Sequence, residues 1–256
     1  MEQSGDKLIT LVRRLPRLFI PPEWIRGESV YLREDILHRI RDVLRLKVGD
    51  GLSLLNNTGY AFIVTLVKEG KSEWEGRVEG KVEVHTELPS RITVVQSIIR
   101  QEKCEEVIRM CTGAGAWRIS FVPAQRSIIR WTREKILRLQ RRWQEIAREE
   151  AEIAFRAIYP CIHLFSSFAE AFPFSPEPRY ILYEGENLPS FSSVLSPASL
   201  PAEMSLIVGP EGGFTREEIA YFQEERGQLI TLGPRILRTE YAGFFALSWI
   251  SALFSS

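Results

Sequence analysis

Residues 205–213, Ser-Leu-Ile-Val-Gly-Pro-Glu-Gly-Gly, and residues 232–240, Leu-Gly-Pro-Arg-Ile-Leu-Arg-Thr-Glu, each join a short apolar run to a Gly-Pro turn. This pattern is typical of a buried strand that ends in a rigid loop at a sheet edge. The three glycines of the first loop lack a Cβ, so their backbone can approach a ligand closely. Pro210 and Pro234 fix φ and remove an amide donor from each loop. The two loops together predict one ligand pocket built mainly from backbone.

The two loops do not match the patterns of common phosphate sites. The chain contains neither the G-x-x-x-x-G-K-[ST] spacing nor the G-x-G-x-x-G spacing. Glu211 would also repel a phosphate group. A ligand that is not strongly anionic therefore fits better. A single Gly-Pro turn is most often structural, but the second loop, with Arg235 and Arg238, favours a functional pocket.

The charges are segregated along the chain although the net charge of the 256 residues is zero. Residues 91–148 hold thirteen basic and five acidic residues, a net charge of +8, whereas residues 149–230 hold four and thirteen, a net charge of −9. The basic segment is a candidate surface for a polyanion such as RNA. A solvated helix face that pairs with the acidic segment explains the same pattern equally well.

Composition indicates a protein of the cytoplasm. Apolar residues make up 45% of the chain, enough for a packed core, and no apolar run approaches the roughly 20 residues that span a bilayer. Residues 1–20 lack the continuous apolar region of a signal peptide. The three cysteines form no C-x-x-C pair, so neither a disulfide framework nor a zinc site is indicated. A reducing compartment and the absence of a metal follow as expectations.

The periodicity changes near residue 88. Residues 17–88 read as short strands, over Ser29–Arg33, Leu52–Leu55, Tyr60–Val67 and Glu73–His85, with one helix over Asp35–Leu46, which predicts a small barrel. Residues 89–256 alternate strands and helices, which predicts an α/β domain with a parallel sheet. The expected elements include a helix over Arg133–Ala157, a loop over 166–178 and a strand over Tyr180–Tyr183. Thr215 and Glu218 form a capping box at the start of a helix. The last helix, over about Glu240–Leu253, is apolar nearly all round and must be covered, either by a second subunit or within one protomer.

Four ordered motifs occur in the chain. They are Ile207–Phe214, Leu232–Glu240, the dipeptide Arg126-Ser127, and His38 followed by residues 43–46 and 49–50. With these motifs the chain resembles the RsmE-type 16S rRNA uridine-N3 methyltransferases of the SPOUT superfamily. The resemblance implies an α/β fold with an N-terminal PUA-like β-barrel that binds RNA (1–88) and a SPOUT domain with a C-terminal trefoil knot (89–256).

The resemblance also implies a reaction and its residues: transfer of a methyl group from S-adenosylmethionine to N3 of a uridine in 16S rRNA of the small ribosomal subunit, by a homodimer without a metal. The cofactor would contact the two loops through Gly209, Pro210, Glu211, Gly212, Gly213, Leu232, Gly233, Ile236, Leu237 and Arg238. The candidate catalytic residues are Arg238, Arg126 and Arg235. The candidate RNA contacts are Arg14, Arg17, Arg41 and Arg45. For the three candidate catalytic arginines a surface or loop-closing salt bridge is the alternative, and for the four candidate RNA contacts a solvated surface is. Glu211 and Glu240 could accept a proton, but each could equally cap a helix or hold an arginine.

Three positions depart from the family pattern. Gly113 stands where the family has Glu, Ile153 where it has Gln, and Tyr241 where it has Thr. The first two are expected near the RNA or the pocket, so they leave the details of the substrate open. An RNA-binding module of the same fold that has lost catalysis, or a SPOUT methyltransferase that acts on another RNA, remains as an alternative.

Overall fold

A computed structural model describes residues 2–33, 35–127, 131–185 and 187–254. Contacts divide the chain into two compact units, one of Met1–Glu87 with Ala151–Tyr159 and one of Leu88–Glu150 with Pro160–Ser256. Each unit contains its own six-stranded sheet. The expected mixed α/β class is confirmed. Within the described ranges, no helix has both the length and the apolar character needed to cross a membrane.

The first unit is built on a mixed sheet in the order β1-β4-β5-β6-β3-β2. Its strands are β1 (Arg17–Phe19), β2 (Ile25–Arg26), β3 (Ser29–Leu32), β4 (Gly51–Leu55), β5 (Tyr60–Lys68) and β6 (Trp74–Glu83). Only β1 and β4 pair in parallel; the other neighbours are antiparallel. Helices α1 (Glu2–Arg14) and α2 (Asp35–His38) complete the unit. Strands β3 to β6 lie where the sequence predicted strands, whereas the short strands β1 and β2 were not predicted.

Two helices of the first unit differ from the sequence prediction. The helix predicted over Asp35–Leu46 is α-helical only to His38 and continues as a π-helical turn over Arg39–Val43. Arg45 then adopts a φ of +55°, which is incompatible with a right-handed helix. Helix α1 had no prediction, because its segment is largely polar. It is ordered by Val12, which is fully buried in a cluster shared with Phe19.

Residues 151–159 belong to the core of the first unit. Ala151, Phe155 and Ala157 pack in the same cluster as Val12 and Phe19. Glu152 is also buried there, and its carboxylate accepts hydrogen bonds from the backbone N–H of Phe19 at 2.8 Å and from the guanidinium of Arg39. A buried carboxylate needs such partners, because an unpaired one would be costly.

The second unit contains a sheet of six parallel strands in the order β12-β10-β11-β7-β8-β9. Its strands are β7 (Arg91–Ser97), β8 (Arg118–Val122), β9 (Cys161–Leu164), β10 (Arg179–Leu182), β11 (Glu203–Val208) and β12 (Gly227–Ile230). The remaining helices are α3 (Gln101–Gly113), α4 (Arg133–Ile153), α5 (Phe168–Ala171), α6 (Phe191–Val194), α7 (Arg216–Glu224) and α8 (Thr239–Ala252). Strands β7, β8 and β9 follow one another to one edge of the sheet, and β10, β11 and β12 form the other half.

Apolar clusters cover both faces of this sheet. One contains Cys111 of α3, Trp143 of α4 and Leu247 of α8. The other contains Phe168 of α5 and Phe222 of α7. Helices on both faces are the usual arrangement around a parallel sheet, because its strands are apolar on both sides.

The helix boundaries in the second unit follow local signals. Helix α7 begins with the predicted capping box, in which Thr215 Oγ1 accepts from the Glu218 N–H at 3.2 Å and the Glu218 carboxylate accepts from the Thr215 N–H at 2.9 Å. Helix α4 ends at Ile153 rather than at the predicted Ala157, and Phe155 has a φ of +57°. The segment 166–178, predicted as a loop, contains α5 and a short 3-10 turn over Phe172–Phe174.

Candidate functional site

A cavity of about 830 Å³ opens at the carboxyl ends of the parallel strands. It is lined by residues 182–184 at the end of β10, 208–214 at the end of β11 and 231–233 with 235–240 after β12, together with Arg100 after β7 and Arg126 after β8. Ligands of open α/β sheets bind at this edge, where the strand order reverses. The volume is that of a site for a small organic molecule.

The two Gly-Pro loops form most of the cavity wall, and their glycines adopt conformations that other residues avoid. Gly213 has a φ of +66° and Gly233 a φ of +116°. The Gly213 N–H donates to the Pro210 carbonyl at 2.9 Å and closes a tight turn. The loops are therefore shaped by local geometry, as the sequence predicted.

The structure brings the predicted loop residues and the three candidate catalytic arginines to this cavity. The lining includes Gly209, Pro210, Glu211, Gly212, Gly213, Leu232, Gly233, Ile236, Leu237, Arg126, Arg235 and Arg238. Ile236 is 82% exposed, which is unusual for a large apolar side chain. An apolar surface left open inside a cavity is suited to cover the flat apolar part of a ligand.

The three arginines have different environments. Arg126 Nη1 donates to the Gly212 carbonyl at 2.9 Å, so it holds the first loop. The side chains of Arg235 and Arg238 are exposed and form neither a hydrogen bond nor an ion pair with the described part of the chain, although the charge of Arg238 helps to lower the pKa of Glu240. Their guanidinium groups are therefore available to a negatively charged or hydrogen-bond-accepting ligand.

Glu240 is a buried carboxylate at the start of α8. Lys103 of α3 contacts it at 3.0 Å and also contacts Glu106 at 2.8 Å. Burial alone would raise the pKa of Glu240, but a backbone N–H and Lys103 outweigh it, so the pKa lies below its ordinary value. Glu240 thus holds a cation and is a weak proton acceptor. Within the described ranges, no group of three or more His, Cys, Asp or Glu side chains could hold a metal ion.

A side-chain relay links β7 to both loops. The Thr239 hydroxyl, on the first residue of α8, donates to the Gly209 carbonyl. Gln96 Nε2, near the end of β7, donates to Thr239 Oγ1 at 3.0 Å and to the Ser97 carbonyl at 3.2 Å. Gln96 is fully buried, and its Oε1 atom has no hydrogen-bond partner among the described residues.

Sequence reasoning did not select Gln96, Thr239, Lys103, Arg100 or the end of β10 as parts of the site. Thr239 lies within the motif Leu232–Glu240 but was assigned no role. No local motif marks the other residues, and they meet the loops only because of the strand order. The predicted strand over Tyr180–Tyr183 was the one available signal, since parallel strands end at a common edge.

The basic segment 91–148 is largely engaged in contacts with the protein itself. The engaged side chains are Arg91 with Glu203, Lys103 with Glu106 and Glu240, Arg118 with the Phe174 carbonyl, Arg126 with the Gly212 carbonyl, Arg142 with Glu105, and Arg148 with Glu145. The side chains of Arg100, Arg138 and Arg141 form no hydrogen bond or ion pair in the ranges that are described. Of the ion pairs named above, Arg91–Glu203 alone joins this segment to the acidic segment 149–230. The other acidic partners, Glu105, Glu106, Glu145 and Glu240, lie outside the acidic segment, so these pairs do not support the alternative of a face paired with it.

The four candidate RNA-binding arginines all lie in the first unit and fall into two classes. Arg17 Nε donates to the Glu152 carbonyl at 2.7 Å, and burial lowers the pKa of Arg17. Arg41 donates to the Gly70 and Lys71 carbonyls. Arg14 and Arg45 are exposed and have no side-chain partner in the described part of the chain. Only this second pair is free to contact a phosphate without first breaking a contact.

The three departures from the family pattern lie at helix ends. Gly113 ends α3, and a Cβ there would come within 3.9 Å of Glu150 Oε1. Ile153 ends α4 and is largely exposed. Tyr241 is half-buried in the first turn of α8 and lies outside the set of cavity-lining residues. None of the three interrupts the two Gly-Pro loops.

Comparison with known proteins shows the family of this chain. Residues 86–251 match the RNA methyltransferase domain family. The ribosomal RNA small subunit methyltransferase E of Synechocystis sp. is 32% identical over 244 residues, which cover 94% of this chain and 78% of that protein. The protein of the same name from Bacillus subtilis is 31% identical over 237 residues, which cover 89% and 88% of the two chains.

Solved structures give the same result. A Legionella pneumophila protein in complex with the bound cofactor SAM has a TM-score of 0.84 and 27% identity, covering 93% of this chain and 98% of that one. A ribosomal RNA small subunit methyltransferase E from Neisseria gonorrhoeae bound to S-adenosyl methionine has a TM-score of 0.79 and 26% identity, with coverages of 94% and 98%. The likeness extends over both units of the chain.

We expect Gly233→Ala to destabilise the second loop. A side chain at a φ of +116° is strained, at a cost of about 1–3 kcal/mol. Gly212→Ala is the matched control, because its Cβ would make ordinary van der Waals contact with Arg126, whose nearest atom is at 3.4 Å, and no left-handed φ is involved. Urea unfolding of both variants measures the difference. Equal losses of stability would contradict the assigned backbone strain.

Proposed function

Because this chain belongs to the RNA methyltransferase family and is a member of its ribosomal RNA small subunit methyltransferase E group, we propose that it methylates N3 of a uridine in 16S rRNA with S-adenosylmethionine as the methyl donor. The family resemblance noted from the sequence motifs is confirmed. The observation that carries the proposal is the complete cavity between the two Gly-Pro loops, at the edge where α/β sheets bind ligands.

The residues of the cavity fit S-adenosylmethionine. Gly209, Gly213 and Gly233 keep the loop backbone free of side chains, so amide and carbonyl groups can reach the adenosine. The exposed Ile236 supplies an apolar surface for the adenine ring. Glu211, also in the lining, offers a negative charge that suits a sulfonium and would reject a phosphate.

The chemistry requires a uracil anion. N3 of uridine is a poor nucleophile while it carries its proton. Loss of that proton leaves a negative charge spread over O2, N3 and O4. S-adenosylmethionine, when bound, supplies an electrophilic methyl group. The protein must therefore hold donor and base in line and place positive groups where the anion develops.

Arg238 and Arg235 stabilise that anion, because their guanidinium groups line the cavity and have no partner among the described residues. Arg238 could alternatively grip the neighbouring phosphate. Arg126 acts as a positioning residue through its hydrogen bond to Gly212. Glu240 stays with Lys103 and orders the start of α8.

The finer architecture belongs to the same proposal. We assign the first unit as the PUA-like RNA-binding barrel, with Arg14 and Arg45 as its phosphate contacts. We assign the second unit as the SPOUT domain, with a trefoil knot formed by its C-terminal segments. The mixed sheet of short strands supports the first assignment, and the parallel sheet with the two Gly-Pro loops supports the second.

A homodimer is proposed from the surface of α8. Phe244 and Phe245 are 38% and 36% exposed on a helix whose other face is buried. Large apolar side chains exposed together favour an interface. The cytoplasm is the proposed location, in agreement with three free cysteines, two of them buried.

The function is tested with small ribosomal subunits that lack the modification. We expect incubation with the protein and S-adenosylmethionine to produce one new strong stop in reverse transcription, because a methyl on N3 blocks the Watson–Crick edge of the uridine. Incorporation of labelled methyl without a stop would move the reaction to another atom or another RNA. Cofactor binding without any incorporation, under conditions where a related enzyme is active, would favour the RNA-binding module.

Arg238→Ala is expected to retain cofactor binding and to lose turnover. Removing one donor from a developing anion lowers kcat by about 10²–10³-fold. Arg226→Ala is the control, since Arg226 is exposed, pairs with Glu177 and lies outside the cavity. Methyl incorporation and calorimetric binding are measured on both. Full activity of Arg238→Ala would remove this residue from the catalytic site.

Phe245→Asp is expected to convert the dimer into monomers, because a charge at a buried interface is strongly unfavourable. Leu137→Asp is the control, as Leu137 is similarly large, 57% exposed and located on α4. Light scattering after size-exclusion chromatography gives the mass of each species. A dimer that survives Phe245→Asp but not Leu137→Asp would relocate the interface.

A further inference from the structure

One hydroxyl group joins the ends of the two loops. Thr239 follows the second loop directly and donates to the carbonyl of Gly209, the first residue of the first loop. The two residues are 30 positions apart. The start of α8 is capped by Arg238, whose side chain makes no cap hydrogen bond, and Thr239 does not serve that purpose either. The hydroxyl therefore acts between loops rather than within the helix.

Gln96 fixes the direction of that hydroxyl. Its Nε2 donates to Thr239 Oγ1 at 3.0 Å, which leaves the Thr239 proton to point at Gly209. The second Nε2 proton donates to the Ser97 carbonyl and holds the amide in place. The relay thus runs from β7 in the centre of the sheet to the backbone of the cavity.

The burial of Gln96 is not favourable for stability by itself. The side chain is fully buried, and Oε1 lacks a partner among the described residues. A buried acceptor without a hydrogen bond is unfavourable, whereas an apolar side chain of the same shape avoids that loss. A buried polar residue at a position where an apolar one would give a more stable protein is a candidate for a functional role.

We propose that Gln96 is a positioning residue for the methyl donor, which acts through Thr239 on the Gly209 carbonyl and so sets the spacing of the two Gly-Pro loops. The inference rests on the proposed function, because it takes S-adenosylmethionine as the ligand of this cavity. Without the relay, the Thr239 hydroxyl is free to rotate and the Gly209 carbonyl loses its fixed donor. The two loops then adopt misplaced conformations part of the time, and ordering them on binding costs free energy that weakens affinity.

The test compares four variants in the full-length protein. Gln96→Met has nearly the same shape and removes the amide. Thr239→Val removes the hydroxyl, and Thr239→Ser restores it without the methyl group. Gln140→Met is the matched control, because the Gln140 amide donates to the Ile162 carbonyl at 3.3 Å and does not line the cavity.

Two readouts separate positioning from stability. Calorimetry measures the Kd for S-adenosylmethionine and for S-adenosylhomocysteine, and thermal unfolding without ligand measures Tm. We expect Gln96→Met and Thr239→Val to bind about tenfold more weakly, which corresponds to about 1.4 kcal/mol. We expect Gln96→Met to keep or raise Tm, Thr239→Ser to restore binding, and Gln140→Met to bind normally.

Several results would overturn the inference. Unchanged Kd values in Gln96→Met and Thr239→Val would remove the relay from ligand binding while leaving the proposed function intact. A fall in Tm of Gln96→Met that matches its loss of affinity would make Gln96 a structural residue only. If the unsubstituted protein binds neither ligand, the proposed function fails first and the inference with it.

Discussion

Because the six strands of the second sheet run parallel, their carboxyl ends must all emerge at one edge, and this constraint places the candidate site. Segments far apart in the chain therefore end side by side, among them the loops that begin at Gly209 and Leu232. The strand order reverses beside β7, so the connections diverge and leave a crevice. An antiparallel sheet would have sent alternate loops to opposite ends.

The edge of the sheet alone does not define the shape of the cavity. Three side-chain contacts hold the surrounding loops in place. Arg126 holds Gly212, Lys103 holds Glu240, and Gln96 acts through Thr239 on Gly209. These three side chains are already engaged in contacts within the protein. The groups left open, Arg235, Arg238 and Ile236, are those with the chemistry for a ligand. The site thus separates side chains that fix the loop backbone from side chains that remain exposed in the cavity.

Sequence predicts the parts of this site that depend on local geometry. Gly213 and Gly233 could be selected because a positive φ is a property of a single residue and its turn. The Thr215 capping box could be predicted for the same reason. Lys103 and Gln96 could not, since their roles arise from strand order. Local sequence patterns also do not show which side chains contact the backbone of distant residues. Arg17 and Arg41 were interpreted as surface cations but donate to backbone carbonyls.

The pairing of the basic segment 91–148 has a consequence for ionic strength. A cation that already contacts a carboxylate, as Arg142 contacts Glu105 and Lys103 contacts Glu240, displaces few counterions when a polyanion approaches. The dependence of RNA affinity on salt follows the number of phosphates that are neutralised, about 0.7–0.9 in log–log slope for each. Thirteen positive residues therefore describe the composition of the segment and not its electrostatic footprint. The electrostatic attraction that this segment exerts on a polyanion therefore depends on its unpaired guanidinium groups, such as those of Arg138 and Arg141.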